Sequence, residues 1–580
     1  MGTISDKLMR IINTKEDIRQ ALISKGYDVP TSIPFKEYAK MILDLPCKVD
    51  SFPDIEGIVA RYSASGLTNE QMAANPVWVD KTGNGHDLQM KNFAWGGMSG
   101  VGGYEMNFNL WTNNVPSIPD ISMSTTTTSV SVSVGNSTYN NNLIYIHMNN
   151  WDINKNHWLK VTSTYEDGDL VFKFYNDNNS KNIELPANGY VNIPAYPEFK
   201  GNYMYISTTS NKQGSFTIEQ LPLYPGALVF DGVDDYGTCD NFPILTKEKG
   251  YTVVALRQWD QDFLNTTLTG GLLSTRNYST GEGVAFEKIE SSNKGYWNLG
   301  AGGIIDFAKS PFTWQTSKQY NNVGILKGDK NHGKPLCVGC GLSGGQQCGR
   351  FAIWELVFLD HDATEEELNK IKDYFVKTYP WLFPDQAWTV VGKTNEDEDR
   401  ATIANITGNG NDLVLSNFGF AEGSGYNEEG EYAGYLVTDG VDDKITSSTF
   451  EMGNDWTVIG DWELINTGKN DNAGIVKFDS IVIYNYNSVL INIKNGRNIL
   501  IPDQNTVNAI CSDGRIYSKD WKESIYNEET ESTSKNFLTI GYSGNAYTKI
   551  AFKNLAIYPT VLSREDCIKA YNYLQTLKAK

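Results

Sequence analysis

A chain of 580 residues has room for about four domains of ordinary size. Its 12% aromatic and 20% charged residues exclude disorder, and its formal net charge of −20 works against general binding to polyphosphate, so no nucleic-acid partner is expected. No apolar run is long enough to cross a membrane, and Met1–Arg10 lacks the apolar core of a signal peptide, so membrane insertion and a signal-peptide route are not expected.

Residues 1–48 read as short amphipathic helices. Leu8, Ile11 and Ile12 share one face. Thr14 and Asp17 resemble a capping box that opens a second helix through Ile18, Ala21 and Leu22. Phe35, Tyr38, Ala39 and Ile42 make a third stripe after Pro30 and Pro34. Such a segment is too small to bury a core alone. Its stripes are expected to pack on sister chains, with a trimer favoured, or on another protein.

The remainder contains an internal repeat. Thr82-Gly-Asn-Gly-His-Asp-Leu88 returns as Thr407-Gly-Asn-Gly-Asn-Asp-Leu413, and Asn92-Phe93 returns as Asn417-Phe418. Asp231-Gly-Val-Asp-Asp235 returns intact as Asp439-Gly-Val-Asp-Asp443. Tyr251-Thr-Val-Val matches Trp456-Thr-Val-Ile. Leu356-Val-Phe before a helix from Thr364 matches Leu555-Ala-Ile before a helix from Ser563. Order is kept throughout, as a duplicated module requires. The shift between copies drops from 325 residues at Thr82 to 208 at Asp231, which places 117 extra residues in copy one.

That extra stretch has its own strand alternation, at Val130, Val132 and Val134, at Leu143–Ile146, at Tyr203–Ile206 and at Phe216–Ile218. Trp158–Val161 and Leu170–Phe174 read as a hairpin turning near Asp167-Gly168. The expected organisation is therefore a helical segment at 1–48, a first sandwich from 49–109 plus 227–382, an inserted β-sandwich at 110–226, and a second sandwich at 386–580. Pro380 to Pro384 read as a short, stiff linker.

Seven cysteines, odd in number and scattered, do not form a secreted disulfide framework. Cys337, Cys340 and Cys348 lack an evident fourth zinc ligand, so they and the others read as buried free thiols. The Asp231, Asp234, Asp235 and Asp439, Asp442, Asp443 clusters have the oxygen chemistry calcium prefers, but equally that of a tight Asx turn. No metal ligand set and no cofactor is assigned. Trp95, Tyr104 and Trp111, set among glycines, are the candidate ligand-binding residues, since sugars stack on such rings; the bland alternative is that they plug the sandwich edge. His86, His147, His157, His332 and His361 show no spacing to a nucleophile, and no catalytic residue is assigned. Glycosidases need a carboxylate pair flanking the bond, and no strand carries one.

The TGNG(H/N)DL turn, the DGVDD turn and the capped closing helix resemble laminin-G-like (concanavalin A-like) modules. Trp78-Val-Asp80 and Phe93-Ala-Trp95-Gly-Gly-Met resemble modules of Bacteroides and its phages. Thr14–Arg19 with Phe35, Tyr38 and Ala39 resembles attachment segments of phage virion fibre proteins. The resemblance implies a mostly β chain of two laminin-G-like jelly-roll sandwiches, one carrying an inserted β-sandwich, after a short helical segment. It implies a non-enzymatic structural protein of a tailed bacteriophage, a head or tail fibre subunit at the virion surface. Its partners would be capsid or tail proteins, reached through the N-terminal helices, and host surface glycans. A bacterial carbohydrate-binding lectin or a glycoside-acting enzyme of the same fold stays open as the alternative.

Overall fold

The computed structural model describes residues 52–579 except 114–120, 136–145, 148–150, 154–156, 177–178, 194–195, 197–198, 200–202, 209–212, 246–250, 265, 276–284, 289–293, 298–302, 307–315, 319–335, 343–344, 422, 431, 466–473, 479–480, 486–488, 494–496, 502–506, 519–520, 526–537 and 544–545. The chain divides into two units, residues 1–54 and 55–580. Only Phe52, Pro53 and Asp54 of the first are described, so the helices expected at 1–48 lie outside the described residues.

The second unit is mostly β and is built from sandwiches of antiparallel strands. In the first sandwich, one sheet centres on Arg350–Leu359, which pairs with Ile58–Ser63, Leu228–Asp231 and Thr252–Trp259. The facing sheet includes Leu88–Lys91, Tyr236–Cys239, Gly270–Ser274 and Leu336–Val338. Tyr62, Phe230 and Phe358 from one sheet meet Leu88, Leu273 and Val338 from the other in a single buried cluster.

The second sandwich repeats this plan. Ile550–Tyr558 pairs with Gln386–Thr389, Tyr435–Val437 and Thr457–Leu464. Even the irregularities recur: a bulge follows the Leu256–Glu355 pair in copy one and the Asp461–Asn554 pair in copy two. Both closing helices are capped as expected. Thr364 and Glu367 form a capping box on Glu365–Thr378, and Ser563 accepts from the Asp566 N–H at the start of Arg564–Gln575.

The location of the insertion is explicit in the strand pairing. In copy two, Gly425–Asn427 and Tyr435–Val437 pair across residues 428–434. In copy one the same pairing, Gly100 opposite Val229, spans everything between them. The intervening strands make two five-stranded sheets that pair only among themselves among the described residues. Their faces enclose a separate core of residues between Met106 and Ile218, with Val132, Leu159, Phe172, Phe174, Ile206 and Phe216 at its centre.

Two expectations need correction. His157–Ser163 and Leu170–Asn176 are strands, but they do not form a hairpin. The first pairs with Asn188–Ile193 and Gly214–Gln220, the second with Asn179–Leu185 and Tyr203–Thr208 in the opposite sheet. The Asp167-Gly168 turn carries the chain across the sandwich, so both strands face one core. Cys340 and Cys348 are joined in a disulfide, whereas Cys239, Cys337, Cys511 and Cys567 are buried free thiols. The two bonded cysteines sit directly opposite each other on adjacent short strands, a juxtaposition that an eight-residue spacing does not reveal.

A further core joins the sandwiches. The Arg350–Leu359 and Ile550–Tyr558 strands are apolar on both faces, and their outer faces meet around the Arg564–Gln575 helix. Trp354 of the first sandwich lies 6.0 Å from the Tyr573 ring. Tyr571 sits 5.6 Å from Trp521 of the second sandwich and 5.0 Å from Trp158 of the inserted one. Gln258 donates to Thr576 Oγ1 at 3.1 Å, and Lys578 pairs with Asp262. The expected linker is part of this core: Pro380–Leu382 is a 3₁₀ turn with Trp381 and Leu382 buried, and the Trp381 carbonyl accepts from Tyr558.

Candidate functional site

The two acidic turns are built alike to the level of single hydrogen bonds. Asp231 Oδ1 accepts from the Val233 and Asp234 N–H groups, and Asp439 Oδ1 does the same for Val441 and Asp442. The last aspartate reaches back: Asp235 Oδ2 accepts from Asp231 N, and Asp443 Oδ2 from Asp439 N. Their other oxygens accept from Ser99 and Ser424. Each trio gathers carboxylate oxygens within 4.8 Å. In Asp235 and Asp443 both oxygens already take N–H and O–H donors, as an Asx-type turn requires.

Burial, reinforced by Asp231, pushes the Asp235 carboxyl up to about 7, and burial pushes that of Asp443 up to about 6. The folded chain thus keeps protons that an unfolded aspartate releases near about pH 4. The contribution of these groups to stability is fullest below that value and is lost as pH rises through 6 and 7. The melting temperature of the native chain should therefore fall relative to that of the Asp235→Asn/Asp443→Asn variant between pH 4 and pH 8. A difference that stays flat over this range would contradict the assignment.

The three aromatic candidates are not brought into one surface. Trp95 stacks on Phe93 at 4.7 Å and packs, partly buried, on the core of the first sandwich. It takes a positive φ of 50°, and Phe420 in copy two takes 48° in the same place. The loop is held tight at Gly100 and Gly425, where a Cβ would stand 2.4 Å from Asn69 Oδ1 and 2.5 Å from Asn395 Oδ1. Trp95 thus has the position of an edge plug shared by both copies. Tyr104 is half-buried, and burial pushes its hydroxyl up to about 12. Trp111 corrects the expectation outright. It is 3% exposed, lies 4.0 Å from Phe108 in the inserted sandwich's own core, and cannot offer a face to a sugar. His361 is half-buried and lies 3.2 Å from Glu367 Oε1 of the capping box.

Sequence reading missed an open groove of about 320 Å³ at one end of the first sandwich. Ile58, Val59, Pro243, Ile244 and Leu245 form its aliphatic lining; Asn84, His86 and Asp360 are its polar members. The Thr82–Leu88 turn fixes His86 from both sides. Its N–H donates to Asp80 Oδ2, its carbonyl accepts from Tyr62 Oη at 2.5 Å, and its ring edge meets Phe242 at 5.8 Å. His86 Nδ1 is buried and has no hydrogen-bond partner among the described residues. Asn84 Nδ2 donates to the Val59 carbonyl at 2.9 Å.

Copy two has the same frame with different contents. Trp388 Nε1 donates to the Asn411 carbonyl as Tyr62 does to that of His86, and Asn409 donates to Asp385 as Asn84 does to Val59. The Asn411 side chain is fully engaged there: Oδ1 accepts from Ser448 at 2.6 Å, and Nδ2 donates to Gln386. Phe383, two residues before Asp385, packs against the shared core. The one signal in the sequence was the single departure inside the repeated turn, His86 against Asn411.

No protein-family model matches the sequence, and no curated protein matches it. Solved structures that align with the chain include the Trypanosoma rangeli sialidase in complex with 2,3-difluorosialic acid, at 8% identity over 78% of this chain and 83% of that one, with a TM-score of 0.22. Domain 4 of AbnA, a GH43 extracellular arabinanase from Geobacillus stearothermophilus in complex with arabinotriose, aligns at 12% identity over 32% of this chain and 100% of that one, with a TM-score of 0.21. The botulinum neurotoxin serotype D binding domain aligns at 11% identity over 59% of this chain and 89% of that one, with a TM-score of 0.23. Likeness at this level carries no argument about what this chain does, and the β-sandwich architecture rests on its own strand pairing and cores.

Proposed function

We propose that the chain is a non-enzymatic structural subunit of a tailed-bacteriophage virion, a head or tail fibre that displays lectin-like, laminin-G-like sandwiches at the particle surface. The observation that supports this most is the shared core. Three sandwiches, each with a core of its own, are locked together by the Arg564–Gln575 helix and the Pro380–Leu382 turn. A display protein needs its domains held at fixed positions, and this core supplies that. The conspicuous repeated polar motifs are consumed in holding turns, in keeping with a scaffold. Docking to capsid or tail proteins, and assembly as a trimer, would fall to residues 1–48.

A chain lacking residues 1–48 should remain folded, become monomeric by mass photometry, and no longer join particles. Normal decoration of particles by the truncated chain would overturn the reading. Incubation of the purified protein with host capsular polysaccharide should release no reducing ends. The groove at His86 favours, as a second reading, a bacterial carbohydrate-binding lectin; electron microscopy of assembled particles separates the two.

A further inference from the structure

We propose that the groove beside His86 is a binding site for an uncharged saccharide, and that the equivalent place in copy two has been closed. The proposal rests on the display reading for the source of the sugar, a glycan of the host surface, but its chemistry stands on the groove itself.

The duplicated frame provides an internal control. The backbone that carries His86 is held by the same hydrogen bonds as the backbone that carries Asn411. The side chains held in that frame differ. In copy two the amide is satisfied by Ser448 and Gln386. In copy one the imidazole has a buried Nδ1 without a partner among the described residues, and the groove is open. His86 as a whole is half-buried and lines the open groove, whereas Asn411 is tied off by its neighbours.

The lining selects the class of ligand. Ile244 is 44% exposed and, with Ile58, Val59, Pro243 and Leu245, offers an aliphatic surface to the C–H face of a pyranose. Asn84 and Asp360 add hydrogen-bonding groups for ring hydroxyls; among the described residues none donates to Asn84 Oδ1. An apolar surface with a few convergent polar groups is the usual composition of a small-ligand site, and the volume lies in the usual range. No lysine or arginine lines the groove, Asp360 does, and the chain carries a net charge of −20. Carboxylated and sulfated sugars are therefore disfavoured, and neutral ones accepted.

The test uses the full chain and saturation-transfer difference NMR with the methyl glycosides of glucose, galactose, mannose and N-acetylglucosamine, and with N-acetylneuraminic acid as the anionic probe. At least one neutral glycoside should bind at concentrations up to about 10 mM, and N-acetylneuraminic acid should not. His86→Asn, which installs the residue of copy two, and Ile244→Arg, at an exposed loop position, should each weaken binding about tenfold or more with unchanged melting temperature. The proposal is overturned if no neutral glycoside binds, if both variants bind as the native chain does, or if N-acetylneuraminic acid binds equally well. Particle incorporation is scored separately. A chain that joins particles yet binds no glycoside sinks the groove alone, and a chain that binds glycoside yet never joins particles sinks the fibre reading alone.

Discussion

Replacing Arg61 by alanine should destabilise the chain by about 3–5 kcal/mol, the usual cost of stripping one member from a buried ion pair. Arg61 is 3% exposed and Glu355 fully buried. The guanidinium meets Glu355 Oε2 at 3.2 Å, donates to Tyr374 Oη at 2.8 Å, and lies over the Tyr374 ring. Tyr379 Oη completes the cluster by donating to Glu355 Oε1 at 2.8 Å. Burial already raises the Glu355 carboxyl above the ordinary carboxylate range, with Arg61 the main opposing influence. Without Arg61 the carboxylate would be left in an apolar layer or forced to take up a proton. The repeat supplies the compensating change, because Ala387 and Asn554 occupy the corresponding places in the second sandwich. The double variant Arg61→Ala/Glu355→Asn should therefore recover most of the loss, to within about 1–2 kcal/mol of the native chain. Denaturant melts of the two single variants and the double variant decide this; additive losses would show that the pair is not the unit that matters.

Tyr571→Ala should cost about 3–5 kcal/mol and divide one thermal transition into at least two. The ring is 2% exposed and touches aromatic residues of two different sandwiches, Trp158 and Trp521. Its loss opens a cavity where the inserted and second sandwiches meet, so the penalty falls on the coupling between them as well as on local packing. Replacing residues 110–226 by a short turn with the sequence of residues 428–434 should have a related effect. Both main sandwiches should fold, because their cores draw on other residues, but the second should melt earlier with its helix uncovered on one side. Calorimetry reads both outcomes. A single unshifted transition in Tyr571→Ala would mean that the shared core contributes little to cooperativity.

The duplicated architecture was legible in the sequence because its turns are. Tight turns need glycine at left-handed positions and Asx side chains that bond their own backbone, so Thr82–Leu88 and Asp231–Asp235 keep their letters while the strands between them drift. The pairing inside the inserted sandwich was not legible, since alternation locates a strand but does not say which of two sheets it joins. The shared core left a trace that could have been read: Phe351–Leu359, broken only by Glu355, and Leu555–Tyr558 are apolar runs, the mark of a strand covered on both faces. Trp111 misled because a tryptophan near glycines looks the same whether it faces solvent or a second sheet. The groove was illegible for another reason. It is built from residues scattered along the chain from Gly57 to Asp360.

The helix that joins the sandwiches has a consequence for the nascent chain. It is synthesised after every surface it covers: Thr576 lies 318 residues beyond Gln258, its hydrogen-bond partner in the first sandwich. At an elongation rate of roughly 5–20 residues per second, the finished face around Trp354 waits on the order of 10–45 s before Tyr573 leaves the ribosome. During this interval a completed sandwich presents Val229, Ala352 and Trp354 to solvent, a strip suited to chaperones or to a neighbouring nascent chain. Slow codons between residues 258 and 576 would lengthen that exposure, and yield of soluble protein should track the speed of translation through this region more closely than through the segment that follows Thr576.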